Sequence, residues 1–389
     1  MFTIKKSANL FFVLFTFVFF VATAQAQTAS VFATGFRSPT KIIYSARNDV
    51  FFVAEAGTPM MSNTGRISLV SSNGSVSSLI EGLPSGAAPP DNAASGPSAL
   101  WLDGDILYIA IGSGNTDLPG PAPGSEIPNP NPASPLFSSV LELKLPAHSR
   151  IGKMSYHLQL ADQTRLANGE TVSLGFGTFR ATLRLTVNFP DYRPEPRPDV
   201  PLNVRPSNPF GLVGAGSKLY VTDASLNQIR TVNLLTRQTG VLFDYPARIN
   251  PLSPPPLIDA VPDSLRLFGN KLLVTFLTGF PFPAGLSDVR QIDLETGAES
   301  PLIGGLTTAI DVLPVSNGGF CHSFYTLELS TNLGGGAPGR LRRYDSPTAT
   351  PTLISDTLIS PTSLAQHLPS GDLLITEIFP GRITRISNP

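Results

Sequence analysis

The sequence predicts an all-β chain folded as a six-bladed β-propeller, on three observations. A degenerate unit recurs from end to end, its copies are spaced by about one blade length, and the last copy lacks one strand while a spare strand stands near the start. Each copy has a Pro-x-x-Leu-like opening, a short apolar run that tends to close on an acid, and Gly-Arg-Ile-x-Arg-Ile or a relative of it. The last copy shows all three parts: Ser360 to Leu364, Asp372 to Glu377 and Gly381 to Ile386.

The middle strands align as Phe52 to Glu55, Tyr108 to Ile111, Tyr220 to Asp223, Leu273 to Phe276, Tyr325 to Glu328 and Leu374 to Glu377. Their centres Val53, Ile109, Val221, Val274, Thr326 and Ile375 are separated, by subtraction, by 56, 112, 53, 52 and 49 residues. A period of about 50 with β-branched and aromatic strands fits four-stranded blades, none of which buries both faces alone. Outer strands are expected at Ser78 to Leu83, Pro301 to Leu306 and Thr352 to Ser355. The last copy ends at Ile386 with no outer strand, so Ser30 to Phe36 is expected to complete it and remove two open edges at once.

The 112-residue gap is about two blade lengths and leaves a seventh blade as the alternative. Its contents favour an elaborated second blade. Ser138 to Leu145 reads as that blade's third strand, His157 to Glu170 has helical composition, and Thr171 to Val187 alternates as a strand pair would. The insertion, at about 150–205, is expected to pack over one face. Pro119 to Pro135 holds seven prolines and Tyr192 to Pro209 six, too many for central strands, so both are expected as surface loops.

Residues 1–26 read as an export leader: Lys5 and Lys6, an apolar run from Ala8 to Ala22, then Ala24-Gln25-Ala26 as a cleavage site. The run is shorter than the roughly 20 residues a spanning helix needs. Residues 27–389 then form a single domain that is secreted or periplasmic, with no membrane span after cleavage. Losing two lysines leaves 25 cationic against 28 anionic side chains, a net charge of −3 with no basic block, which argues against a nucleic-acid partner. A single cysteine, Cys321, excludes an internal disulfide and reads as a small buried hydrophobe.

Three segments carry a resemblance: Leu277-Thr278-Gly279-Phe280-Pro281-Phe282-Pro283-Ala284-Gly285, Ser207-Asn208-Pro209-Phe210-Gly211-Leu212, and Thr326-Leu327-Glu328-Leu329-Ser330 with its Gly-rich continuation. With these the chain resembles the ScyD/ScyE proteins, secreted bacterial propellers related to NHL-type repeats, over roughly residues 30 to 118 and 206 to 389. The resemblance implies a six-bladed extracytoplasmic propeller and no settled activity. The middle region departs from the family pattern, being longer and lacking its acidic, alanine-rich helix.

Four of the six middle strands end in acids, Glu55, Asp223, Glu328 and Glu377. Converging at one channel mouth, they would make a hard, oxygen-rich site for Ca²⁺, and with it a cation-dependent hydrolase or lyase of lactonase type. Bonded each within its own blade, they would be structural fasteners repeated with the repeat. Asn208 is a candidate amide ligand. Phe276 breaks the acid pattern and precedes Phe280-Pro281-Phe282-Pro283, which either grips an aromatic or sugar-like ligand or plugs a long loop. The histidines His148, His157, His322 and His367 are scattered, and no nucleophile elbow, Cys-x-x-Cys, phosphate loop or dinucleotide fingerprint is present. The leading expectation is a binding or scaffold module for a small molecule or an extracytoplasmic protein, its site formed at the channel mouth by the insertion and the Phe-Pro loop.

Overall fold

Six sheets stand in a ring, each built on four antiparallel strands, with the first strand of each lining the axis. The computed structural model describes residues 28–89, 92–122, 124–147, 150–194, 202–316, 322–387 and 389; the segment expected as a leader, His148 and Cys321 lie outside the described residues. The inner strands are Pro39–Ser45, Pro97–Asp103, Pro209–Ala215, Pro262–Phe268, Ala309–Ser316 and Pro361–Gln366, and each packs against the next around the ring, the sixth against the first. A proline opens five of them, where its missing N–H leaves no ladder bond unmade at a strand's first residue.

Second strands follow at Val50–Glu55, Ile106–Ile111, Lys218–Asp223, Lys271–Phe276, His322–Glu328 and Leu373–Glu377, as the spacing predicts. The second blade takes Ser139–Lys144 as its third strand and Ala181–Asn188 as its fourth, so the long gap holds one blade and not two. In the sixth blade Thr28–Thr34 pairs antiparallel with Arg382–Ser387, Thr28 opposite Ser387 and Thr34 opposite Arg382. The ring is thus closed by the strand that the sequence left over.

The insertion sits on the rim between blades one and two. Tyr156–His157 runs parallel to the first blade's outer strand Val76–Leu83, and the helix Leu160–Ala167 follows at once. Gln163, buried on that helix, donates to the carbonyl of Gly82 at 3.0 Å. Val172–Leu174 then pairs with Ala181–Asn188 and widens the second sheet to five strands. Tyr156, Leu158, Leu166 and Val172 are buried in the same cluster as Phe52, Leu79 and Leu107, which seals the junction of the two blades. The two proline-rich stretches are not plain loops: each folds as a two-stranded ribbon, Asp117–Pro119 with Glu126–Pro128 and Tyr192–Pro194 with Val204–Pro206.

Between blades the core is apolar, gathered in six clusters of buried side chains. Phe51, Phe52 and Phe137 are almost wholly buried, each contributing about 1.5–3 kcal/mol by leaving water. Glycine is required where a third strand meets the next blade: a Cβ on Gly65 would stand 2.7 Å from Pro97 and one on Gly339 2.4 Å from Pro361.

Candidate functional site

The four repeated acids end their strands inside the blades, fully buried. Glu377 accepts from Arg382 Nε at 2.9 Å, from the Ile359 backbone N–H at 2.6 Å and from Thr384. Glu55 does the same with Arg66 at 2.9 Å, the Arg37 N–H at 2.6 Å and Ser68. Glu328 takes Arg340 at 2.6 Å and the Thr307 N–H at 2.7 Å, while Asp223 takes Arg230 at 3.0 Å, the Asn208 N–H at 2.9 Å and Ser207. In each blade one carboxylate ties the approach to the inner strand, the end of the second strand and the start of the third. The acids therefore do not converge on one cavity, and among the described residues no three His, Cys, Asp or Glu side chains are grouped to hold a metal ion.

In the fourth blade the device is inverted. Phe276 stands in the acid's place, fully buried, with Arg248 over its ring at 4.7 Å and Tyr245 edge-on at 4.8 Å. The carboxylate has moved across the ladder to Asp288, which pairs with Arg248 at 2.9 Å. Phe276 offers no surface to a ligand, being 0 % exposed beneath Arg248 and Tyr245. Phe280 is exposed and meets Phe282 edge-on at 6.0 Å, but neither ring lines the channel mouth, which this loop reaches only through Leu277.

The mouth itself is built by the second residue of each inner strand: Thr40, Ser98, Phe210, Asp263, Ile310 and Thr362. Three of these close the ring, since Thr362, Thr40 and Ser98 donate to the carbonyls of Pro39, Pro97 and Pro209 in the following blade at 2.8, 2.8 and 2.6 Å. Phe210, Asp263 and Ile310 instead floor a cavity of about 810 Å³. Its walls are Leu277, Leu329 and Ile378 from loops after the second strands, and Arg205 and Pro206 from the second ribbon. A smaller adjoining space of about 260 Å³ shares Asn208, Phe210 and Glu126 and extends the vestibule over blades one and two. Both ribbons lean over it, held together where Asn203 accepts the Glu126 N–H at 3.1 Å. Asn208 lies at the rim with its carbonyl oxygen on the Ser113 N–H at 3.2 Å; its amide N–H groups make no hydrogen bond to the described residues.

Asp263 is the ionisable group of this floor. It is 3 % exposed, its side chain makes no hydrogen bond to a described residue, and its Oδ2 is buried without a partner. Burial pushes its carboxyl well above the usual carboxylate range, repulsion from Asp311 adds to this, and Lys41 only partly offsets it. Just beneath, Asp311 accepts from Lys41 Nζ at 3.2 Å, Arg266 Nε at 3.0 Å, Ser363 Oγ at 2.8 Å and the Leu364 N–H at 3.2 Å. Burial alone would raise this carboxyl, but Arg266 and Lys41 outweigh it and hold it far below the usual range. Lys41 is in turn lowered to about 8 by burial and by Arg266, against Asp311. In the adjoining space Asp117 is 2 % exposed and burial raises its carboxyl to about 6. None of Lys41, Asp263, Arg266 and Asp311 was singled out from the sequence. The available signal was a charged residue on an inner strand, where most equivalent positions of the other blades are uncharged.

Neither a protein-family model nor a curated protein matches the sequence. Solved structures do resemble the fold. Two auxiliary nutrient binding proteins, from Bacteroides thetaiotaomicron and Bacteroides ovatus, match at TM-scores of 0.53 and 0.52, with 10 and 9 % identity. A protein of unknown function from Bacteroides thetaiotaomicron matches at 0.50 with 11 % identity. Each match covers 93 % of this chain and 76 % of the other. At such identities the likeness is one of β-propeller fold alone.

Proposed function

We propose that this chain is an extracytoplasmic binding propeller of the ScyD/ScyE kind, secreted or periplasmic, whose vestibule takes a small neutral ring compound, aromatic or sugar-like. The observation that carries the reading is Asp263: a carboxyl buried without a partner among the described residues, on the floor of the 810 Å³ cavity. A buried polar atom left unpaired costs about 1–3 kcal/mol, which a ligand oxygen recovers on binding. The upward push on the carboxyl favours its protonated form, which can donate to a hydroxyl or carbonyl acceptor, while Phe210 beside it offers an apolar face. The leader-like pattern of residues 1–26 supports the location, and the bonding of the four repeated acids within their own blades supports a binding role over a cation-dependent lyase.

The test is a thermal unfolding scan of residues 27–389 against a panel of monosaccharides, disaccharides and phenols, since a ligand of the native state alone must raise the midpoint. One member or more should raise it in the native sequence and fail to do so in Asp263→Leu and Phe210→Ala. A panel without effect, or an effect unchanged in both variants, overturns the vestibule as the site.

A further inference from the structure

The opposite end of the channel holds a second cavity of about 460 Å³. It opens where the inner strands end and is a funnel with apolar walls, formed by Trp101, Leu102, Leu267 and Leu313, with the exposed Leu368 among its lining residues. Lys41 and Arg266 line it as well. They are the same two cations that clamp Asp311, with side chains 7 % and 16 % exposed against 0 % for the carboxylate.

Two cations share one carboxylate there. Asp311 is the partner of both, and Asp263 makes no hydrogen bond to either. The bonds of Arg266 go out through Nε and Nη2, to Asp311 and the Leu364 carbonyl; Nη1, with two N–H groups, makes none to the described residues. Lys41 Nζ directs two protons to Asp311 and Ser264 and keeps a third. A desolvated cation excess at the base of an apolar funnel calls for an anion with an apolar body. The lowering of Lys41 to about 8, by burial and then by Arg266, agrees with positive charge that one carboxylate does not balance.

We propose that this funnel is a second binding site, for a small amphiphile whose single carboxylate meets Arg266 Nη1 and the free Lys41 proton while its hydrocarbon lies along Trp101 and the surrounding leucines. The site is independent of the vestibule and of what binds there.

Trp101 is the single tryptophan of the sequence, so intrinsic fluorescence reports on this funnel directly. The protein is titrated with decanoate, decanol and decyltrimethylammonium, each kept below its aggregation threshold. Decanoate should give a saturable spectral shift with affinity about tenfold above decanol, the worth of one charge-assisted hydrogen bond, and the cation should bind weakest. Arg266→Gln should erase the preference and leave decanol binding in place. Because that change touches the buried cluster, Leu368→Glu on the exposed rim is measured beside it and should weaken decanoate more than decanol. Equal binding of decanoate and decanol, no saturable shift, or an unaltered preference in Leu368→Glu would each overturn the assignment.

Discussion

Replacing Asp311 by leucine removes the one acceptor shared by Lys41, Arg266, Ser264, Ser363 and the Leu364 backbone at the axis of the ring. The change leaves two cations without a counter-charge, both largely out of water. Breaking a buried pair from one side costs about 3–5 kcal/mol. For a folded chain of roughly 360 residues, an unfolding entropy near 2.1 cal/mol/K per residue converts that loss to a midpoint about 4–7 °C lower. Circular dichroism melts of native and variant protein measure it. The triple change Lys41→Met, Arg266→Met and Asp311→Leu removes both signs of charge and should recover more than half of the loss. Acidification supplies a further check: a carboxyl whose folded value is depressed stabilises above the ordinary carboxylate range and ceases to do so as pH falls toward the folded value. Native and variant melts should therefore converge at low pH. A single variant within about 1 °C of native, or a triple variant worse than the single one, refutes the reasoning.

Two further outcomes are expected. Asp263 behaves in the opposite sense: its raised carboxyl binds a proton more tightly folded than unfolded, so its contribution falls as pH rises above the ordinary carboxylate value. Asp263→Asn, measured by urea unfolding between pH 4 and 8 (roughly the span in which that difference develops), should gain on the native protein as pH rises, by at most about 1.4 kcal/mol per pH unit; a constant gap would show that Asp263 ionises normally. Glu377→Gln should cost about 1–3 kcal/mol through its bonds to Arg382 and the Ile359 N–H, and millimolar Ca²⁺ added after EDTA should leave the native midpoint unchanged; a Ca²⁺-dependent rise would restore the repeated acids as metal ligands.

The blades were legible because a second strand with both neighbours paired needs the same β-branched and aromatic residues each time, so Val53, Val221 and Ile375 look alike. The fasteners were visible for the same reason, although Glu55 and Glu377 alone could not say whether they faced a channel or a blade. Their repetition was the clue, since a local bond recurs with the repeat. The vestibule was not legible. Thr40, Phe210, Asp263 and Ile310 are unlike one another, and only the closing of six strands about an axis makes them neighbours. Phe276 marks a swap of partners across a ladder, and the aromatic that lines the vestibule floor is Phe210. The ribbons escaped notice because proline density argues against central strands and says little about a pair of short strands that stands outside the sheets.

The pairing of Thr28–Thr34 with Arg382–Ser387 joins positions 359 apart, by subtraction from Thr28 opposite Ser387. In an open array of repeats the terminal units have one neighbour each and fray first, and stability is close to a sum over units. Here no blade is terminal. Losing any one of them breaks two interfaces and unfastens the seam's leverage on the other five, so the six melt together or not at all. The seam also makes assembly slow, because its most distant contact forms only after every intervening blade has brought the two strands within reach.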